Sequence, residues 1–176
     1  FRIPRIMEFY GATEGNVGMI NYSGQVGAVG RVPWYARQVQ KIRLVRFDVA
    51  NQIPVRTKNG FCIETDDGEA GEAIGKIDQN TARARFDGYT KQDSTEKKIL
   101  RNVFEKDDAW FRTGDLMRRD KYGYFYFVDR TGDSFRWKAE NVSTAQVAEA
   151  ISSYPGIAEA NVYGVEVPGL EGKAGM

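Results

Sequence analysis

Two short motifs in this 176-residue chain combine side chains that bind anions, cations or hydroxyl groups. The first is Tyr10-Gly11-Ala12-Thr13-Glu14, which sets a hydroxyl beside a carboxylate. Glycine lets backbone N–H groups approach an anion closely, a threonine hydroxyl donates to phosphate oxygens, and a glutamate holds a hard cation such as Mg²⁺. An ordinary capped turn is the alternative interpretation of so short a motif.

The second motif is Thr113-Gly114-Asp115, which has the composition of a turn that leads into a strand. An aspartate in a turn most often hydrogen-bonds to its own backbone. Its functional alternative is a carboxylate that accepts two hydrogen bonds from a vicinal diol, such as the hydroxyls of ribose.

A third stretch, residues 129–143, mixes two aspartates, three cations, Phe135, Trp137 and a glycine, and its charges do not segregate onto one face. Packing alone therefore does not explain it. Arg130 is either a solvated surface charge or a planar fork of donors for ribose or phosphate oxygens. Aromatic rings beside cations also suit single-stranded nucleic acid, but the formal net charge of +1 supplies no basic field. We therefore predict no nucleic-acid partner.

Composition narrows the chemistry further. The chain is 41% hydrophobic, enough for a packed domain, and it has no histidine, which removes the commonest general base and zinc ligand. The single Cys62 lies in an apolar setting and is predicted to be a small buried side chain. No apolar run is long enough to span a bilayer, and no signal-peptide pattern opens the chain. Neither end completes an element, so we expect a piece of a longer protein.

Periodicity predicts a mostly β-structure over the first 130 or so residues. Residues 41–48 alternate apolar and charged side chains, Asn59-Gly60 favours a hairpin turn, and two strands flank residues 120–123. Residues 94–104 carry apolar side chains at helical spacing behind a Ser/Thr cap, and so predict a helix. The last 45 residues change to a strand–helix–strand pattern with Ser143 and Thr144 at the start of the helix.

Together the motifs resemble the adenylate-forming superfamily of acyl-CoA synthetases and luciferase-like enzymes, in its branch of fatty acid transport proteins and very-long-chain acyl-CoA synthetases. The resemblance covers essentially the whole chain in order. It is carried by residues 9–16, 26–31, 86–89, 113–116, 129–138 and 162–169. The Gly-Asp-x-Phe-Arg-Trp-Lys segment at 132–138, followed by Glu-Asn-Val, is specific to that branch.

The resemblance implies an ATP-dependent ligase for long or very long fatty acids. Such enzymes form an acyl-adenylate with release of pyrophosphate, then pass the acyl group to coenzyme A, and they use ATP, Mg²⁺ and coenzyme A. It implies catalytic roles for Thr13 at the AMP phosphate and Glu14 at Mg²⁺. The implied nucleotide-binding residues are Tyr10, Gly11, Ala12, Thr13, Asp115 and Arg130.

The resemblance also implies an α+β fold. Residues 1–130 would end a large adenylating domain with a small distorted β-barrel, residues 131–133 would form a hinge at Gly132, and residues 134–176 would begin a small mobile lid. Lys138, Ala139 and Glu140 would face the coenzyme A channel. The family's usual glycine before Glu-Asn is Ala139 here, a departure that bears on the thioester step.

Two family elements lie outside these residues, a phosphate loop upstream and a lysine downstream, so the isolated piece is predicted to be inactive. The whole protein is expected inside the cell on the endoplasmic reticulum, peroxisome or plasma membrane, attached through other regions. A relative without catalysis, which binds nucleotide or acyl groups and captures fatty acid, is the alternative function.

Overall fold

The computed structural model describes residues 6–12, 17–78, 96, 98–132, 134–137, 140–169 and 173–176. These residues form mostly β-structure. A short 3₁₀ helix covers Trp34–Ala36. The elements in chain order are β1 (Phe9–Gly11), β2 (Gly18–Ile20), β3 (Gly30–Arg31), β4 (Ile42–Asp48), β5 (Ile53–Pro54), β6 (Ala70–Lys76), β7 (Ile99–Arg101), β8 (Ala109–Arg119), β9 (Tyr124–Arg130), β10 (Phe135–Trp137), β11 (Glu140–Val142), α1 (Thr144–Ser152), β12 (Gly164–Glu166) and β13 (Lys173–Gly175).

Seven of the described strands form one antiparallel sheet. Its order is β3-β9-β8-β6-β4-β5, and β7 pairs with β8 as well. The three other pairs, β1-β2, β10-β11 and β12-β13, are two-stranded. The predominance of strands is confirmed, but the barrel is not: within the described ranges the sheet is open, and two-residue strands stand at its ends. Strands that short offer few backbone groups for closing a sheet on itself.

Both faces of the sheet are covered, because successive side chains of a strand point to opposite sides. In β4, Leu44 and Val45 belong to two different buried clusters. The first cluster consists of Val17, Met19, Val32, Ile42, Leu44, Ala73, Phe111, Met117 and Phe125. The second consists of Val45, Cys62, Ile74, Leu100, Val103 and Trp110. Cys62 is buried as predicted, and burial raises the pKa of its thiol, which keeps it protonated and unreactive.

The two predicted hairpins are confirmed. Gly60 takes a φ of +86°, and the Thr57 amide donates to the Phe61 carbonyl at 2.7 Å, as a tight turn requires. The turn between β8 and β9 is organised by Asp120, whose carboxylate accepts the backbone amides of Tyr122 and Tyr124, both at 2.9 Å. This second hairpin is longer than predicted, because β8 begins at Ala109 and β9 continues to Arg130.

The helix predicted over residues 94–104 is wrong from Ile99 onward, although Glu96 is helical. Residues 99–101 form strand β7, and the chain then turns at Asn102, whose φ is +52°. The carboxylate of Asp108 accepts backbone amides from Val103 at 2.5 Å and Phe104 at 3.0 Å, so these amides bond to a side chain instead of a helical carbonyl. The apolar side chains enter the second cluster from a strand and a loop. Residues 94, 95 and 97 lie outside the described ranges.

The residues that follow β9 pack around Phe135, which belongs to neither of the two buried clusters of the sheet. Ser143 caps α1 as predicted and accepts the Gln146 amide at 3.3 Å. Phe135 is 5% exposed, and a Cβ placed on Gly164 would come within 2.6 Å of the Phe135 Cβ. The ring thus packs where only a glycine leaves room. The strand predicted over 160–167 is confirmed only as Gly164–Glu166.

A buried ion pair joins the two central strands. Glu72 on β6 has a side chain only 1% exposed, and the Arg112 guanidinium on β8 binds both of its carboxylate oxygens at 2.8–3.1 Å. Such a fork-on-fork arrangement combines charge with two directional hydrogen bonds. It fixes β8 against β6 immediately before the Thr113-Gly114-Asp115 motif.

We expect Arg112→Met to lower the free energy of unfolding by about 3–5 kcal/mol, because it leaves the Glu72 carboxylate buried without a counter-ion. Chemical denaturation followed by tryptophan fluorescence measures this loss. Arg101→Met is the matched control: Arg101 binds Glu96 in an exposed pair and should cost about 1 kcal/mol or less. Equal losses in the two variants would contradict this role for the buried pair.

Candidate functional site

The first two motifs meet in space. The Tyr10 hydroxyl on β1 donates a hydrogen bond to the Asp115 carboxylate on β8, across 105 residues of sequence. Asp115 is 9% exposed, and Tyr10 packs its ring against the first buried cluster. The aspartate therefore bonds to a distant side chain, whereas the simpler interpretation had it bond to its own backbone in a turn.

A bulge in β8 interrupts the pairing of residues 113–115 with β6. Ile74 of β6 pairs with Arg112 and Glu72 pairs with Leu116, so residues 113–115 lie opposite Ala73 alone. The Thr113 hydroxyl donates to the Ala73 carbonyl at 2.8 Å and accepts the Asp115 amide at 3.0 Å. The motif was predicted as a turn before a strand, whereas it is a bulge inside one.

Gly114 is the residue that makes this bulge geometrically accessible. Its φ of +78° lies in the left-handed region, where a Cβ is strained. Its carbonyl accepts the Thr131 amide at 2.8 Å, which ties the bulge to the residues that follow β9. Gly114 therefore allows the backbone conformation of the bulge, and its carbonyl holds the residue that follows β9.

Arg130, at the end of β9, is the direct cross-strand partner of Asp115. Its Nε lies 3.5 Å from the Asp115 Oδ1, while its side chain is 71% exposed. An ion pair so open to water contributes little to stability. The guanidinium is consequently available to bind a ligand.

These side chains line one cleft of about 420 Å³. Six of the predicted site residues lie on its wall, namely Tyr10, Gly11, Ala12, Asp115, Arg130 and Gly132. Thr131, predicted only as part of the hinge, also lines it, and so does Lys98, to which sequence reasoning gave no role. Lys98 was hidden inside the helix predicted from apolar spacing, and a strand prediction there would have brought it beside β8.

Of the remaining predicted site residues only Glu140 is described, and it does not line this cleft. Thr13, Glu14, Lys138 and Ala139 lie outside the described residues, so their roles stay predictions. Glu140 begins β11, opposite Trp137, and is exposed. Among the described residues, no group of three or more acidic, cysteine or histidine side chains forms a metal site.

Gly132 does not need to be a glycine in this conformation. Its φ is not positive, and a Cβ there would meet nothing within 4 Å. Any requirement for glycine at this position must therefore come from another conformation of the chain.

Asp129, beside Arg130, is a buried carboxylate that the sequence did not single out. It is 2% exposed and accepts the Thr144 amide at 2.8 Å and the Ser134 hydroxyl at 3.0 Å. It thereby joins the end of β9 to the first residue of α1, where an anion is favoured by the free N–H groups.

The polar contact between Tyr10 and Asp115 changes the acidity of the phenol. Burial raises the pKa of Tyr10 above its ordinary value, and the hydrogen bond to the adjacent carboxylate raises it further. Tyr10 is consequently a neutral donor at physiological pH.

The sequence comparisons agree on one group of relatives. Over 173 residues the chain is 48% identical to mouse long-chain fatty acid transport protein 5, covering 98% of this chain and 25% of the relative. It is 47% identical over 171 residues to rat long-chain fatty acid transport protein 2, covering 97% and 27%. It is 46% identical over all 176 residues to mouse long-chain fatty acid transport protein 1, covering 27% of that protein. No family model matches the sequence.

Over essentially its whole length the chain matches one stretch of the long-chain fatty acid transport proteins. It spans about a quarter of the length of the relatives it matches. The resemblance predicted from the motifs is thus confirmed in its specific branch. Among the described residues, no helix has both the length and the apolar character needed to cross a bilayer.

Several solved structures share the fold of this chain. O-succinylbenzoate coenzyme A synthetase from Bacillus subtilis in complex with AMP superposes with a TM-score of 0.64 at 22% identity, over 93% of this chain and 29% of that one. The ATP-bound RpMatB-BxBclM chimera B3 gives a TM-score of 0.66 at 24% identity, over 97% and 29%. Another structure of the Bacillus enzyme contains ATP and a magnesium ion, with a TM-score of 0.64 over 96% of this chain and 30% of that one.

The altered acidity of Tyr10 predicts a pH-dependent loss of stability. Because its pKa is raised in the folded state, its contribution is complete below the ordinary value of 10.0 and falls as pH rises above it. We expect the stability difference between the wild-type chain and Tyr10→Phe to shrink between neutral pH and pH values above 10. Urea unfolding of both chains across this range measures the difference, and a constant difference would contradict the assignment.

Proposed function

We propose that this chain forms the nucleotide-binding part of an ATP-dependent long- or very-long-chain fatty acid–CoA ligase. The observation that supports it best is the convergence of Tyr10, Asp115 and Arg130 on one cleft. The family of the chain and the AMP- and ATP-bound enzymes that share its fold point the same way.

The cleft suits the sugar of a nucleotide. Asp115 engages Tyr10 through Oδ2 and faces Arg130 through Oδ1, and a carboxylate offers about four lone pairs in all. Acceptor capacity is left for the two hydroxyls of a ribose. The neutral Tyr10 phenol keeps the carboxylate oriented, and the exposed Arg130 fork donates to ribose or phosphate oxygens.

The adenine ring would lie along the backbone of Gly11 and Ala12 on the opposite wall of the cleft. The nearest atom to a Cβ on Gly11 would be a backbone oxygen 3.9 Å away, so this stretch of β1 presents an uncrowded surface. A flat ring can pack closely against such a backbone.

The protein's contribution to the reaction is positioning and charge stabilisation. A fatty acid carboxylate attacks the α-phosphate of ATP and pyrophosphate leaves; the thiol of coenzyme A then takes the acyl group and AMP leaves. The nucleophiles belong to the substrates, so the chain needs no catalytic histidine or cysteine. Thr13 would donate to the phosphate, Glu14 would hold Mg²⁺, and Lys138, Ala139 and Glu140 would face coenzyme A.

The proposal also divides the chain into parts of two domains joined by a hinge. Residues 1–130 would complete the large adenylating domain, and residues 134–176 would begin an α+β lid that turns at Gly132. A glycine with open surroundings suits a residue whose backbone angles must change between two lid orientations. The whole protein would associate with a cell membrane.

Asp115→Asn in the full-length protein should weaken AMP binding about 10- to 100-fold, because it removes charged acceptors from the ribose site. Calorimetry measures the affinity. Asp67→Asn, which changes an exposed aspartate paired with Arg119 and remote from the cleft, should leave it unchanged. Equal affinities of Asp115→Asn and the wild type would contradict the assignment.

Fatty-acid-dependent exchange of pyrophosphate into ATP separates the ligase from a protein that only captures fatty acid. We expect exchange in the wild type and its loss in Glu14→Ala, because the metal that neutralises the phosphates would no longer be held. Fatty acid binding without exchange would favour the capture function. Unchanged exchange in Glu14→Ala would overturn the metal assignment.

Residues 132 and 139 should affect the second half-reaction selectively. We expect Gly132→Ala to preserve the thermal midpoint and adenylation but to slow thioester formation, since only the other lid orientation would require glycine. Conversely, Ala139→Gly should speed thioester formation more than adenylation. Single-turnover assays of the two steps measure both effects, and equal changes in the two steps would contradict them.

A further inference from the structure

Lys98 is placed at the mouth of the bulge by the strand that follows it. Its carbonyl accepts the Arg112 amide at 2.8 Å, which extends the β7-β8 pairing by one residue. Its Nζ lies 3.4 Å from the Thr113 carbonyl and 5.8 Å from the centre of the Phe111 ring. The side chain is therefore directed across the cleft wall beside Gly114.

The charge of Lys98 is not neutralised by the described residues. No described carboxylate lies within ion-pair distance of its Nζ, whereas Lys41 has Asp78 at 3.8 Å. The Thr113 carbonyl is a long, neutral acceptor that leaves the charge intact. Asp115, the acidic group on the cleft wall, is already engaged by Tyr10 and Arg130.

The cleft wall thus carries two cations, Lys98 and Arg130, and one carboxylate, Asp115, with Tyr10 neutral. A ribose diol requires the carboxylate and Arg130 but has no charge for a second cation to bind. The surplus positive charge fits an anionic group on the same ligand. A lysine suits this task, because its ammonium is a compact charge with three donors on a flexible stem.

We propose that Lys98 forms an anion subsite of this cleft, which binds the phosphate of a nucleotide whose ribose occupies Asp115 and Arg130. This subsite rests on the proposed nucleotide-binding function and extends it to a residue outside the three motifs. In this arrangement Asp115 recognises the ribose and Lys98 recognises the phosphate.

The test compares AMP with adenosine, which differ only in the phosphate. In the full-length protein, Lys98→Met should weaken AMP binding about tenfold or more and change adenosine binding less than twofold. Lys98→Arg should retain most of the AMP affinity. The affinity of the wild type for AMP should fall with added salt, and this dependence should be smaller in Lys98→Met.

Lys121→Met is the matched control, because Lys121 is an exposed lysine over the Tyr122 ring, outside this cleft. It should bind both ligands as the wild type does. Thermal midpoints check folding, and Lys98→Gln replaces Lys98→Met if the latter does not fold.

The outcomes distinguish a failure of the Lys98 subsite from a failure of the proposed nucleotide-binding function. If Asp115→Asn weakens both ligands but Lys98→Met leaves AMP unchanged, or weakens AMP and adenosine equally, the anion subsite is overturned and nucleotide binding stands. If the wild type binds neither ligand, both the nucleotide site and the subsite fall.

Discussion

The bulge at residues 113–115 is the constraint on which the rest of the site depends. A regular β8 would place its side chains alternately on the two faces of the sheet, within the two buried clusters. Three residues opposite Ala73 break this alternation, and Asp115 lies in the cleft, hydrogen-bonded to Tyr10. The bulge is held from both sides, by the Glu72–Arg112 pair before it and the Asp115–Arg130 pairing after it.

The chain uses carboxylates in four different ways, and the contrast shows why one of them suits a ligand. Glu72 is paired with a guanidinium, Asp108 accepts backbone amides and an indole N–H, and Asp129 accepts neutral donors at a helix start. Asp115 combines a phenol with a largely solvated arginine at the edge of a cleft. Its carboxylate therefore keeps free acceptor capacity, which the two hydroxyls of a diol would use in the proposed site.

Local patterns were sufficient to predict β4, the two hairpin turns and the Ser143 cap, because each depends on residues a few positions apart. They could not predict contacts across the fold. The meeting of Tyr10 with Asp115 is set by sheet order, which no local period contains. The motif roles came from the family resemblance, and the distances within the cleft came only from the structure.

The failure at residues 99–104 has a specific physical cause. Apolar side chains at positions i, i+1, i+4 and i+5 satisfy a helix, but they equally satisfy a short strand followed by a tight loop. The Asp108 carboxylate decides between them by binding the amides that a helix would use. Because Lys98 directly precedes this strand, the same error concealed a residue of the cleft wall.

The buried Asp129 affects where the C-terminal segment could be exchanged between related proteins. The junction between domains was predicted at residues 131–133, yet the Asp129 carboxylate, which accepts the amide of the first residue of α1, lies before it. A C-terminal segment transplanted at that junction would arrive without its own anchor and would depend on whatever residue the host supplies there. A segment that contains both α1 and the carboxylate bound to its first residue must begin at or before Asp129, which lies on β9.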